Sequence, residues 1–229
     1  MKIVPISAEV IDHMGSDLSV VNAARVSFHK EAEWEVSDNG YRQLSEGDVK
    51  LINYLAKHKH FSPFNHAFIS SRIKAPIFVA RQLVKHKFMP WNEVSRRYVD
   101  DEPEFFWPES WRGKPINAKQ GSDGVIDLGS DVYGKPWDDI ILETTVVESY
   151  HAYQRLLNKN VAPEQARMVL PQNMMTEWIW SGTLGAYADM LHLRLDPHTQ
   201  AESRIVAEAL RDQILPLFPV SLKALLENK

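Results

Sequence analysis

The chain of 229 residues contains no cysteine. That absence excludes disulfides, thiolate metal sites and any mechanism that needs a thiol nucleophile. Long apolar runs are missing as well: nothing approaches the roughly 18 consecutive apolar residues that a membrane span requires. The first residues, MKIVPISAEVIDHMG, lack the apolar stretch of a signal peptide, so a cytoplasmic location is expected. There is no basic excess either, with 26 Lys and Arg against 30 Asp and Glu and a formal net charge of -4. Proteins devoted to duplex nucleic acid usually carry such an excess, so neither nucleic acid nor membrane is expected as a partner. Three standard sites are absent: the G-x-x-x-x-G-K-[ST] phosphate loop, the G-x-G-x-x-G fingerprint and the G-x-S-x-G elbow.

What remains is an ordinary globular composition, 44% hydrophobic and 24% charged, long enough for one substantial core. A single catalytic domain over 1–229 is expected. Residues 16–28 read as a short helix capped by Ser16 or Asp17, and residues 46–58 place Val49, Ile52 and Leu55 on one helical face. Residues 66–74 read as a strand, Pro76 opens a helix through about Lys87, and residues 94–99 read as a second strand. Residues 100–136, with four prolines and five glycines, are irregular. They also hold Phe105, Phe106, Trp107 and Trp111, so the segment is expected to be an ordered, packed, functional loop. Further helices are expected near 137–159, 163–179, 183–193 and 198–215, with a short one after Pro219. The fold class is α+β, a small antiparallel sheet flanked by helices.

Four clusters could carry chemistry. The densest runs from Arg81 and Gln82 through Lys85, His86 and Lys87 to Asn92, Glu93, Ser95, Arg96 and Arg97. A helix over 77–87 puts Arg81, Gln82, Lys85 and His86 on one side, and a turn at Pro90 returns Ser95 and Arg97 on a strand. Such a pocket suits phosphate: Arg as a planar fork, Lys as a point charge, Ser as a donor. A solvated basic helix end fits the same residues. The second cluster, His58 to His66, has three histidines in nine residues. It has no acid or cysteine and no common zinc spacing, so hydrogen bonding around the Ser62-Pro63 turn is expected rather than a metal. The third places Arg167 in an apolar helical segment, where an ion pair or a ligand phosphate would satisfy it. The fourth puts Arg194 at a helix end, with Asp196 and Pro197 as a cap for the next helix.

These clusters, in this order, resemble the flavin-dependent thymidylate synthase family. The family signature is Arg-His-Arg, seven residues, then Ser-x-Arg; this chain reads Lys85-His86-Lys87, FMPWNEV, Ser95-Arg96-Arg97. The resemblance extends through NAARVSF (22–28), HFSPFNH (60–66), FWPESWRGKPINAKQGS (106–122), ARMVLP (166–171) and LRLDPHTQAE (193–202). Two departures stand out. Lysines replace both arginines of the triplet, which keeps the charge and loses the bidentate fork. Asn65 stands where many members have glutamate.

The resemblance implies a homotetramer whose active sites draw on more than one subunit. It puts Gln82, Lys85, Glu93, Ser95, Arg96, Arg97, Arg167 and Arg194 on dUMP. It puts Ser62, Lys85, His86, Lys87, Glu93, Thr183 and Asp189 near FAD, in a site of neither Rossmann nor P-loop design. It implies methylation of dUMP with methylenetetrahydrofolate as carbon donor, reduced FAD as hydride donor and NADPH as reductant. Without cysteine, C5 of uracil cannot be activated by a thiolate, and Arg194 is the candidate that stabilises charge on the ring. Arginine is too basic for the role of proton acceptor. Two alternatives stay open: a flavin-dependent dUMP hydroxymethylase and a catalytically idle nucleotide-binding relative.

Overall fold

The computed structural model describes residues 1–99, 101–116 and 121–228. Its strands are β1 (Lys2–Ile3), β2 (Ser7–Met14), β3 (Glu35–Val36), β4 (Arg42–Gln43), β5 (Phe68–Pro76), β6 (Trp91–Glu93), β7 (Glu104–Phe105), β8 (Trp111–Gly113), β9 (Asp123–Ile126) and β10 (Met175–Thr183). The α-helices are α1 (Asp17–Arg25), α2 (Glu46–Lys57), α3 (Ile77–Leu83), α4 (Trp137–Leu142), α5 (Glu148–Asn158), α6 (Pro163–Ala166), α7 (Leu184–Arg194), α8 (Ala201–Ile214) and α9 (Ser221–Glu227). The class is α+β, as the sequence led one to expect. The main sheet is antiparallel in the order β2-β5-β10-β6, and the other strands pair off as β1-β7, β3-β4 and β8-β9.

Alternation along the two central strands builds the core. On β5, Ile69, Ser71, Ile73 and Ala75 are buried; on β10, Trp178 and Trp180 face the same way and pair with Ile73 and Ser71. The opposite face is polar: Ser70 and Ser181 share a hydroxyl hydrogen bond of 2.9 Å, and Arg72 lies 3.7 Å from Glu177. A sheet covered on one side reads this way because successive side chains alternate between faces. Edge strand β6 is fixed by Trp91, which stacks on Trp178 at 4.2 Å between ring centroids. Asp17, buried at the start of α1, accepts the backbone N–H groups of Val220 and Ser221 at 2.9 Å and so holds α9.

Several sequence expectations need correction. The helix drawn over 163–179 is α6, a 3-10 turn at Arg167–Val169, and then strand β10. Pro171 stops helical propagation, and MTEWIWSG alternates with the period of a strand. The strand drawn over 94–99 lies three residues earlier, at β6; residues 95–98 form a turn in which Tyr98 N–H donates to the Ser95 carbonyl at 3.0 Å. Ser95 Oγ also accepts Arg97 N–H at 3.3 Å, a local bond that competes with strand pairing. The helix opened at Pro76 ends at Leu83, not Lys87, since Pro90 disfavours helical backbone ahead of it and His86 N–H turns back to the Leu83 carbonyl.

The 137–159 helix is interrupted by a π-helical turn, Glu143–Val147. Strand β2 went unread because it is an exposed edge with little apolar alternation. Within the 100–136 segment, Phe105 joins a satellite core with Val146 and Met174, and Trp107 packs against it, whereas residues 121–127 are exposed. Residues 117–120 of the 106–122 motif lie outside the described residues. Asp196 caps no helix; its Oδ1 accepts His198 N–H at 2.7 Å, and α8 begins at Ala201 after Gln200.

Candidate functional site

Helix α3 and the turn after it deliver Gln82, Lys85 and His86, and the last turn of α7 delivers Arg194. Arg194 Nε donates to His86 Nε2 at 3.1 Å, and an Nη2 N–H donates to the Gln82 carbonyl at 3.1 Å. Partial burial, then the adjacent guanidinium, lower the His86 pKa to about 4, so the imidazole is neutral and can accept. Burial also pulls Arg194 below the ordinary guanidinium range. His86 is further wedged edge-on against Trp180, 6.0 Å between centroids.

Gln82, Lys85 and Arg194 line a cavity of about 660 Å³, together with Arg81, Arg112, Gly121, Ser122, His198, Thr199 and Gln200. None of these wall residues is acidic, and four are permanent cations. The Gln82 side chain is held by Gln200, and its Oε1 accepts Ser203 Oγ–H at 3.2 Å. Gly121 has φ +87°, and a Cβ there would lie 3.2 Å from the His198 carbonyl. Glycine is needed at this wall on both counts.

Glu93, Arg96 and Arg167 line a different cavity, of about 610 Å³; Arg81 belongs to both walls. Glu93 accepts Thr176 Oγ1–H at 2.7 Å and the Trp91 indole N–H at 2.9 Å. Arg96 pairs with Asp101 at 3.1 Å, and Arg97 with Glu164 at 3.7 Å. Ser95 and Arg97 sit on the turn beside this cavity, and neither lines it. Arg167 is exposed rather than buried, with Nε on the Glu164 carbonyl at 3.2 Å, so the expectation of an arginine buried in a helix is corrected.

The residues expected near FAD are spread over several parts of the chain. Lys85, His86 and Lys87 lie in sequence around the Arg194 site, whereas Glu93 is in the second cavity. Ser62 starts a 3-10 turn, Ser62–His66, which is tied to the start of α7 by the Thr183 Oγ1–H···Oδ1 Asn65 bond of 2.8 Å. Asp189 is exposed on α7. Among the described residues no cluster of three or more His, Asp or Glu could hold a metal ion. Arg112 and Gln200, both on the Arg194 cavity wall, had no site role assigned from the sequence. The WRG tripeptide, an arginine among aromatics in the packed loop, was the available signal for Arg112.

Comparison with known proteins places this geometry in context. The family model described as thymidylate synthase complementing protein matches residues 9–220. A flavin-dependent thymidylate synthase of Thermus thermophilus is 37% identical over 219 residues, 96% of this chain and 75% of that one. The protein of the same name from Kosmotoga olearia is 38% identical over 217 residues, 95% of this chain and 88% of that one. Among solved structures, the UMP/dUMP methylase PolB of Streptomyces cacaoi bound with 5-Br UMP superposes with a TM-score of 0.81 at 27% identity, covering 100% of this chain and 97% of that one.

Proposed function

The chain belongs to the thymidylate synthase complementing protein family, and from that premise we propose that it methylates dUMP to dTMP as a flavin-dependent thymidylate synthase. The observation that carries the reading is Arg194, half-buried, oriented by a neutral imidazole and a backbone carbonyl, on an acid-free cationic wall in a chain without cysteine. Methylation requires electron density at C5 of uracil. A guanidinium fixed beside the ring stabilises negative charge on the ring oxygen and nitrogen as the ring polarises toward a nucleophilic C5. Its charge is worth more here than in water, because partial burial lowers the local dielectric. Holding Nε and Nη2 in place leaves nothing to reorganise during the reaction. Lys85 and Arg81 supply charge for the phosphate.

The donor set also fits a flavin dinucleotide. Lys85 and Lys87 are exposed cations flanking His86, suited to a diphosphate, while Ser62 and Thr183 offer hydroxyls at adjoining helix starts. Glu93 and Asp189 complete the residues that would hold it. A bound flavin would supply the hydride; methylenetetrahydrofolate is the carbon donor and NADPH the reductant in this reading.

Gln82, Lys85 and Arg194 line one cavity, and Glu93, Arg96 and Arg167 another. We read them as two halves of one nucleotide site, joined when one copy presents its Arg167 wall to the Arg194 wall of the next. A homotetramer of single-domain chains, acting in the cytoplasm, accommodates this. The test is anaerobic incubation of the FAD-loaded protein with dUMP, methylenetetrahydrofolate and NADPH, with product mass read out. dTMP is expected; hydroxymethyl-dUMP would transfer the reading to a hydroxymethylase, and no product would end it.

A further inference from the structure

We propose that Ser203 determines base specificity: it fixes which end of the Gln82 amide faces the nucleotide, and so selects uracil over cytosine. This rests on the reading above that Arg194 stands beside the pyrimidine. Ser203 is fully buried in the first turn of α8, 0% exposed, and is not among the walls of the Arg194 cavity. Gln82 is one of those walls, so the serine acts through it as a positioning residue.

Both ends of the Gln82 amide are held from the start of α8. Ser203 Oγ–H donates to Oε1 at 3.2 Å, and Nε2 donates to Oε1 of Gln200, the residue before the helix. A primary amide carries two N–H groups. Gln200 takes one, and the second makes no hydrogen bond among the described residues. With Oε1 turned to the buried hydroxyl, the group left for the cavity is an N–H. Turning the amide over would set its oxygen against Oε1 of Gln200, two acceptors with no proton between them.

Gln82 also borders Arg194, since its backbone carbonyl accepts Nη2 at 3.1 Å. Amide and guanidinium therefore flank one part of the cavity. Uracil carries carbonyl oxygens at C2 and C4, and cytosine has an amino group in place of the second. An N–H on the wall matches the carbonyl. Against the amino group it sets donor to donor and leaves both unpaired, which costs more than a missing bond. Mismatches of this kind discriminate strongly, because a desolvated polar group is left without a partner. Arg81 and Lys85 cannot supply that choice, because the phosphate they would meet is the same in both nucleotides.

The test is calorimetric titration of the FAD-loaded enzyme by dUMP and by dCMP. The unmodified enzyme should bind dUMP more tightly. In Ser203→Ala the Gln82 oxygen loses its donor, and the amides of Gln82 and Gln200 can turn over together. The dUMP-to-dCMP affinity ratio should then fall about tenfold or more. Gln82→Glu, at a half-buried position, offers acceptors only and should lower the ratio further. Its added negative charge opposes both phosphates alike and cancels in the ratio. An unchanged ratio in either variant would overturn the proposal, since a merely structural serine moves both affinities together. Equal affinity of the unmodified enzyme for the two nucleotides would overturn it as well. Absence of any dUMP binding to the unmodified enzyme would instead strike the reading on which the proposal rests, and the proposal with it.

Discussion

Arg194 is held by His86: Nε donates to the imidazole Nε2 at 3.1 Å, and that imidazole is kept neutral, its pKa lowered to about 4 by burial and by the guanidinium itself. A protonated imidazole would have no lone pair to offer and would set two cations against each other. The pairing therefore works only while His86 is uncharged.

This gives a pH prediction with a definite sign. The folded-state pKa of His86, about 4, lies below the ordinary value of 6.5, so between them the unfolded chain binds the extra proton. Stability should be fully present above pH 6.5 and decline as pH falls toward 4. Thermal unfolding of wild type and His86→Gln across that range checks it: the variant, which cannot titrate, should show a shallower decline. Parallel curves would remove His86 from the account.

Arg194→Ala should lower turnover by about a hundredfold or more, the usual loss on removing one donor aimed at developing charge. Bound flavin absorbance should be unchanged. Wild-type turnover in this variant would refute the electrostatic role.

Lysine at positions 85 and 87 gives charge without a fork. Lys85→Arg should lower the KM for dUMP several-fold, since a bidentate guanidinium–phosphate pair is stronger than a point contact. Lys85→Ala should raise it by about tenfold. Steady-state kinetics at fixed ionic strength reads both, and an unaltered KM in the alanine variant would take Lys85 out of the phosphate site.

If each nucleotide site draws on two chains, Arg194→Ala and Arg167→Ala should each be nearly inactive alone. Mixing and reassembling the two variants should restore activity, because some sites then receive an intact half from each. Mixtures that stay as inactive as the parents would place both residues in a site within one chain.

Asp17→Ala tests the fold and leaves the chemistry aside. The buried carboxylate accepts two backbone N–H groups at the start of α9. Its loss should cost about 2–3 kcal/mol in urea unfolding, with two buried donors left unpaired. A change within error would mean water replaces the carboxylate there.

How much was legible in the sequence varies with the element. Helix α1 was readable from its cap and α2 from its periodicity, α7, α8 and α9 were placed within a few residues, and the cation-rich run from Arg81 to Arg97 was visible as the densest chemistry. Strand β10 was not: the apolar segment around Arg167 read as helix through 179, and the alternation of Trp178 and Trp180 became decisive only with β5 as a partner. Strand β6 was misplaced because the stack of Trp91 on Trp178 joins residues far apart in sequence.

The sequence by itself determined the chemical class. With no cysteine, a thiolate cannot activate the ring, and the ordered motifs around Lys85-His86-Lys87 and Arg194 carry the family. Only the tertiary structure decided which cations share a wall. Arg194 meets His86 and Gln82 because the turn after α3 packs against the end of α7, whereas Glu93 and Arg167 line a separate cavity. Local sequence governs caps and periodicity, which act over a few residues. The convergence of side chains more than a hundred positions apart is fixed by burial of the sheet face between them, and no short window of sequence contains that information.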